Sequence, residues 1–161
     1  MNAIDLLKQQ HQEVDALFLK AIQADVDAKV TLLGQLAEKL TIHAHIEEQH
    51  FYPFARRMGI QDLVDHSLQE HMEAKRILAD LLQSKRNDPK LQTELMQLQK
   101  SVKHHVQEEE EKLFPRLAEL APAEELESMG DTLEQAVVAL SQEELLRMAE
   151  HEGSALPPVQ S

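Results

Sequence analysis

Apolar residues recur every three or four positions along four long segments of the chain, which is the spacing of one helix face. The segments cover about residues 3–23, 28–57, 61–85 and 89–120. Short connections make neighbouring helices antiparallel, which predicts an all-α, up-down-up-down four-helix bundle over residues 1–120. Asn2 is the candidate N-cap of the first helix, and Asp88 precedes Pro89 at the start of the fourth.

A fifth apolar pattern at helical spacing follows the four segments. Gly130 is a candidate interruption of this pattern, and Ser141 begins a capping-box sequence that would start another helix. Residues 121–151 are therefore expected to form a C-terminal helical extension, packed on the bundle or at a dimer interface. Residues 152–161 are expected to form a flexible tail. A monomer and a homodimer both stay open.

Six ionisable residues interrupt the apolar stripes at positions that face the core. A carboxylate buried there without a partner is costly and tends to take up a proton, whereas a bound dication removes that penalty. A rise of 1.5 Å per residue places all six side chains at one level of the bundle. The candidate metal ligands are His11, His43, Glu47, His71, His105 and Glu109.

All six of these residues belong to an internal repeat. The histidine, glutamate and proline of segment 43–53 recur 62 positions later in segment 105–115, and His11 recurs 60 positions later as His71. The repeat therefore indicates that the two helical hairpins each supply one half of a metal site. Such a site suits two metal ions bridged by two carboxylates. The repeated prolines, Pro53 and Pro115, are each expected to bend or end their helix.

The other polar residues near the pairs receive weaker interpretations. His50 lies on the same helix face as His43 and stays a candidate extra ligand, a hydrogen-bond donor to a ligand, or a polar residue at the pocket mouth. The remaining histidines are interpreted as surface residues or left undecided: His45, His66, His104 and His151. Four acidic residues are interpreted as a solvated face: Glu48, Glu108, Glu110 and Glu111.

Composition narrows the chemistry and the partners. The chain has 161 residues, enough for one core, and no cysteine, so a metal must be held by imidazole and carboxylate. Such ligands suit iron, manganese, zinc or copper. A formal net charge of −13 argues against nucleic acid and anionic membranes as partners. No apolar stretch is long enough to span a bilayer and no signal segment is evident, so a cytoplasmic protein is expected.

Together these motifs resemble the hemerythrin-like (HHE cation-binding) domain over about residues 4–118. The resemblance rests on His11, on the His43–Glu47 and His105–Glu109 pairs with their aromatic residue and proline, and on His71. It implies a non-haem di-iron centre in a four-helix bundle, with the two glutamates as bridging carboxylates and an oxo or hydroxo bridge. Members of the family bind dioxygen reversibly or sense oxygen, nitric oxide or iron.

One position departs from the oxygen-carrying members of that family. They have a fifth histidine one turn before the third-helix histidine, where this chain has Ser67. The resemblance then implies an extra open position on one iron, filled by water, His50 or a substrate such as peroxide. This departure argues against a function as a simple reversible oxygen carrier. It favours sensing, nitric oxide binding or oxidative chemistry.

Three functions follow from these residues. The first is a di-iron protein that binds or senses dioxygen or nitric oxide. The second is an enzyme, a ferroxidase or a peroxide-consuming di-iron oxidase. The element from Glu47 to His50 resembles part of the ferritin-like carboxylate motif, although Lys112 replaces the histidine in the second copy. The third is a regulatory module whose contacts through residues 122–150 respond to metal or redox state.

Overall fold

The computed structural model describes residues 1–85 and 87–152, and all regular structure in this part of the chain is helical. The first hairpin contains α1, α2, a π-helical segment named π1, and α3; the second contains α4, α5, a π-helical segment named π2, and α6; helix α7 follows. Their bounds are Ala3–Gln23 (α1), Val26–Ile46 (α2), Glu47–Phe51 (π1), Tyr52–Arg57 (α3), Gln61–Gln83 (α4), Lys90–Glu108 (α5), Glu109–Leu113 (π2), Phe114–Leu120 (α6) and Ala123–Glu152 (α7).

Four rods form the bundle, because α2, π1 and α3 run on continuously, as do α5, π2 and α6. The closest packing joins α1 to α2 and α4 to α5, while α1 also packs on α5. This arrangement confirms the four-helix bundle with an additional C-terminal helix. The Asn2 side chain accepts the Asp5 backbone N–H at 2.9 Å, and Asp25 accepts that of Ala28 at 2.9 Å, so side-chain caps begin the first two helices.

The apolar core consists of two clusters with a polar layer between them. One cluster contains Leu7, Phe51 and Phe114 and lies toward the start of α1. The other contains Phe18 and Leu98 and lies toward the end of α1. The stripe histidines fall between these clusters along each rod, so the polar layer is enclosed by apolar packing on both sides.

Neither repeated proline ends its helix, contrary to one of the two outcomes expected from sequence. Pro53 and Pro115 stand in the first turns of α3 and α6, directly after π1 and π2. The Tyr52 N–H donates to the Glu47 carbonyl, and the Phe114 N–H donates to the carbonyl of Glu109, a step of five residues. A widened turn before a proline relieves the clash of its ring with the preceding turn, so the rods continue.

Helix α7 packs along α1 and α2, and Leu126 and Leu133 join the first apolar cluster. It is continuous through Gly130 and Ser141, so the interruption and the second helix start expected from sequence are wrong. Apart from Glu152, which ends α7, the expected tail at 152–161 lies outside the described residues. Within the described chain, no helix has the length and apolar character that crossing a membrane requires.

Candidate metal centre

The structure brings all six stripe residues together as two overlapping groups of potential ligands, and all six are buried. His11 and His43 form one group with Glu47 and Glu109. His71 and His105 form the other group with the same two glutamates. In each group, one ligand atom from every residue lies within 4.8 Å of the others. Each rod supplies residues to this layer, and both glutamates belong to both groups.

Distances within the layer match those between ligands of a common ion. The Nε2 atom of His11 lies 3.2 Å from Glu109 Oε1, and that of His43 lies 3.3 Å from Glu47 Oε1. In the second group, His71 Nε2 lies 2.9 Å from Glu47 Oε1, and His105 Nε2 lies 3.5 Å from an oxygen of Glu109. Two ligand atoms, each bonded at about 2.0–2.1 Å to one tetrahedral ion, are about 3.3 Å apart.

Several of these atoms have no hydrogen-bond partner although they are buried. They are His11 Nε2, His43 Nε2, Glu47 Oε2 and Glu109 Oε1. A buried polar atom left without a partner costs about 1–3 kcal/mol, so four in one layer require an explanation. Imidazole nitrogen and carboxylate oxygen are ligands of transition metals, and a cation among them would satisfy every one of these atoms. The donor set therefore fits bound metal.

The other ring nitrogen of each histidine is held by a side chain outside the layer. The Nδ1–H donors of His11 and His71 reach Glu110 and Glu48, each at 2.7 Å. The Nδ1–H of His43 donates to Gln10 at 2.6 Å, and the Nδ1–H of His105 donates to Glu70 at 3.0 Å. These bonds leave each Nε2 with a free lone pair that faces a carboxylate oxygen. Two acceptors at such distances are reconciled by a proton or a metal cation between them.

The electrostatics of the layer also favours positive charge at its centre. Burial by itself lowers the pKa of His11 and His105, but the surrounding carboxylates, Glu109 foremost, together outweigh it and raise both above the usual value. His71 behaves in the same way beside Glu47. Burial raises the pKa of Glu47, but the histidines around it, His43 foremost, hold it well below its ordinary value. Protons and metal cations therefore compete for this site.

Tyr52 is the residue at the centre that sequence reasoning did not single out as functional. Its hydroxyl lies 2.5 Å from Glu109 Oε2, 3.1 Å from Glu47 Oε1 and 3.1 Å from His71 Nε2. Burial, reinforced by the charges of Glu109 and Glu47, raises the pKa of Tyr52 well above its usual range. The π1 segment brings Tyr52, five residues after Glu47, onto the ligand face. The sequence signal was present, because this is the only tyrosine in the chain and it adjoins the repeated proline.

A cavity of about 340 Å³ opens over the four histidines. Its apolar wall includes Leu40, Ala74, Leu78, Val102 and Val106. At the cavity lining, Lys75 Nζ lies 2.8 Å from an oxygen of Glu48, the carboxylate that also holds His71. The hydrogen bond with His71 is the main reason that the pKa of Glu48 falls to about 2. The cavity can admit a small apolar molecule to the metal-binding layer.

Some weaker interpretations from sequence need correction. His50 is half-buried and belongs to neither group of converging ligand atoms, so the structure does not bring it to the centre. Glu48 and Glu110 are not merely a solvated face, because each orients a histidine of the layer. Gln10 and Glu70 do the same and were not singled out. A signal existed, since Gln10 and Glu70 directly precede the stripe histidines of α1 and α4.

Comparison with known proteins agrees with this geometry. Among solved structures, the chain is similar to an HHE cation-binding domain-containing protein from Mycobacterium kansasii, with a TM-score of 0.83, 25% identity and coverage of 92% of this chain and 93% of that one. Among curated proteins, it is similar to a DNA nickase from Nostoc sp., 27% identical over 143 residues. That match covers 88% of this chain and 41% of the nickase, so the chain spans about two fifths of that relative's length.

A family model matches most of the chain. The model described as the hemerythrin HHE cation-binding domain matches residues 2–117, which contain all six stripe residues and both π-helical segments. Buried histidine and glutamate side chains converge within that range, as a cation-binding domain requires. The chain therefore belongs to the hemerythrin HHE cation-binding domain family.

Proposed function

We propose that this protein holds two iron ions and binds or senses dioxygen or nitric oxide at them. The observation that carries the proposal is that Glu47 and Glu109 each belong to both groups of converging ligand atoms. Two shared carboxylates suit two neighbouring ions better than one. The proposed ligands are His11, His43, Glu47, His71, His105 and Glu109.

The side chains of the protein prepare the layer for such ions. When bound, two reduced iron ions supply the electrons and open coordination positions that binding of dioxygen or nitric oxide requires. Glu48, Glu70 and Glu110 hold three of the histidines with Nε2 toward the centre and make them stronger ligands, and Gln10 holds the fourth. Both apolar clusters flank the layer, and the cavity opens onto its histidines.

The cavity supports a small, weakly polar ligand. Its lining is largely apolar, which favours dioxygen or nitric oxide over a charged substrate. The four histidines that line the cavity are already oriented by hydrogen bonds at Nδ1. A diatomic ligand therefore needs no rearrangement of them.

Elemental analysis and a visible spectrum of protein purified without chelator would test the metal. The expected result is two iron ions per chain with visible absorption bands. Exposure of the reduced protein to dioxygen or nitric oxide should then change the visible and electron paramagnetic resonance spectra. One zinc ion per chain without iron would contradict the metal assignment. Iron without any spectral response to either gas would contradict only the ligand assignment.

A second candidate, a peroxide-consuming enzyme, is favoured by Tyr52. Reduction of peroxide to two water molecules needs two electrons, which reduced iron or an added reductant would supply, and two protons. The Tyr52 hydroxyl keeps its proton because its pKa is raised, so it is available to supply one of the two. The hydroxyl also contacts Glu47 and Glu109, the two carboxylates that would hold both ions. Steady-state loss of hydrogen peroxide with iron-loaded protein tests this candidate. A rate equal to that of free iron at the same concentration would exclude it.

The activity of the Nostoc relative is not extended to this chain. The match covers 41% of that DNA nickase, and the net charge of −13 disfavours contact with phosphates. A cytoplasmic location and a monomeric or homodimeric state stay predictions from sequence.

A further inference from the structure

A third cluster of possible ligands lies on the outer side of the second hairpin. It consists of His66 and Glu70 on α4 and His104 on α5. The Nε2 atoms of His66 and His104 lie 3.4 Å and 3.1 Å from Glu70 Oε2. The three ligand atoms lie within 4.8 Å of one another. These are the separations expected between ligands of one tetrahedral ion, about 3.3 Å.

Glu70 supplies a second, independent indication of a ligand. The residue is 7% exposed, and its Oε2 atom is buried without a hydrogen-bond partner. Its other oxygen already accepts the Nδ1–H of His105 at 3.0 Å. The free oxygen therefore points away from the inner layer and toward His66 and His104, whose side chains are 49% and 62% exposed.

The repeat shows that holding His105 does not require this cluster. In the first hairpin, Gln10 occupies the place of Glu70 and holds His43 through an amide oxygen at 2.6 Å. At the repeat offsets of 60 and 62 positions, the counterparts of His66 and His104 are Leu6 and Ile42. Both counterparts belong to, or pack against, the first apolar cluster. One half thus orients its histidine with an amide and apolar neighbours, while the other adds a carboxylate and two histidines.

We propose that His66, Glu70 and His104 form an outer site for a single divalent transition-metal ion, separate from the inner pair. Two imidazoles and a carboxylate are a recognised ligand set for zinc, and they also suit ferrous iron and copper. Both histidines are exposed, so the ion keeps coordination positions open to solvent and exchanges readily. Glu70 links the outer site to the inner layer, because its two oxygens face the ion and His105. The outer site does not depend on which ions fill the inner layer.

Zinc uptake by the iron-loaded protein tests this proposal. Equilibrium dialysis against zinc, followed by elemental analysis of both metals, should show one additional zinc ion per chain with the iron content unchanged. The double variant His66→Leu/His104→Ile reproduces the first hairpin at this place and should bind that zinc ion at least tenfold more weakly. Glu70→Gln, which copies Gln10, should weaken zinc binding to a similar extent.

His45→Ala is the matched control, because His45 is an exposed histidine outside the cluster. It should leave zinc uptake unchanged. Wild-type zinc affinity in the double variant, absence of the additional zinc ion in the wild type, or an equal loss in His45→Ala would each overturn the proposal. Failure of the inner centre is distinguishable, since it would appear as missing iron in the wild type while the difference of one zinc ion between wild type and double variant persists.

Discussion

At the scale of single residues, each histidine of the centre uses its two ring nitrogens differently. The Nδ1 side is held by Glu48, Glu70, Glu110 or Gln10, and the Nε2 side faces a shared carboxylate. Fixing one nitrogen selects the tautomer in which the other can bind metal. The layer therefore needs little rearrangement to take up cations.

On the proposed di-iron function, removal of a shared glutamate should affect the binding of both ions. Glu109→Ala deletes the Oε1 atom that lies 3.2 Å from His11 Nε2 and 3.5 Å from His105 Nε2, one histidine of each group. We expect the loss of at least one iron ion per chain, measured by elemental analysis. Glu111→Ala, an exposed glutamate two residues further on, is the matched control and should keep full iron. Wild-type iron content in Glu109→Ala would refute the assignment of the site.

The Tyr52 hydroxyl can be removed without disturbing the packing of its ring. Tyr52→Phe loses contacts with Glu47, Glu109 and His71 but keeps a buried aromatic ring in place. If the protein consumes peroxide, the rate should fall at least tenfold, since groups around a metal site typically contribute that much. Iron content measured on the same samples separates loss of the proton donor from loss of metal. An unchanged rate at full iron content would show that Tyr52 is not the donor.

At the scale of elements, the two π-helical segments position the shared glutamates and the aromatic residues that follow them. Each begins at a shared glutamate and is followed by a proline in the next helix, so the helical turn widens at the metal-binding layer. In the second hairpin the residue five positions after Glu109 is Phe114, whose ring stacks on His11 at 5.9 Å. In the first hairpin the equivalent residue is Tyr52, which contacts the ligands with its hydroxyl. The same π-helical turn in each hairpin thus brings a different aromatic residue beside the candidate ligands.

Helix α7 meets the start of α1 through a glycine that tolerates no side chain. A Cβ atom on Gly130 would lie 2.1 Å from the Met1 carbonyl oxygen and 2.9 Å from Asn2. Gly130→Ala should therefore lower the free energy of unfolding by about 1–2 kcal/mol, because the backbone must shift. Gly34→Ala is the matched control: it meets nothing within 4 Å and should raise stability by about 0.5–1 kcal/mol. Urea titration measures both, and equal effects would contradict this packing.

At the scale of the whole molecule, the bundle encloses a charged layer between two apolar clusters. Ten or more apolar residues on each side keep water away from the layer, which strengthens every charge interaction inside it. Stability of the fold and occupation of the centre are therefore coupled, since whatever neutralises the two glutamates also stabilises the bundle.

This coupling predicts opposite pH dependences with and without metal. In metal-stripped protein, the raised pKa values of His11, His71 and His105 contribute stability that is complete below the unfolded value of 6.5 and is lost as pH rises through the folded values. The lowered pKa of Glu47 contributes stability above its unfolded value of 4.5, lost as pH falls. Bound metal requires deprotonated histidines, so its stabilisation grows as pH rises.

The difference in unfolding free energy between loaded and stripped protein should therefore widen as pH rises above 6.5. Denaturant titrations of both forms between about pH 5 and pH 9 measure it. Metal release should likewise begin as pH falls through the raised histidine values. A difference that stays constant or narrows with rising pH would contradict this account.

The sequence by itself determined the helical rods, the six stripe residues and their common level. Apolar spacing of three and four positions defines helix faces locally, and a fixed rise per residue turns positions into depths. The repeat then paired the two hairpins, and His11 with His71, without any knowledge of contacts. These features depend on local geometry, which is why the apolar spacing predicts a helix over residues 3–23, the bounds that the structure shows.

Only the tertiary structure decided what depends on contacts between rods. The expectation left open whether each proline bends or ends its helix, and the π-helical turns let both rods continue past Pro53 and Pro115. Glu48, Glu110, Gln10 and Glu70 gained roles by reaching a histidine on another helix, a contact that no spacing along one helix reveals. The continuity of α7 through Gly130 likewise depends on α1 lying against it. From the sequence alone, a glycine at this position indicates an interruption of the helix.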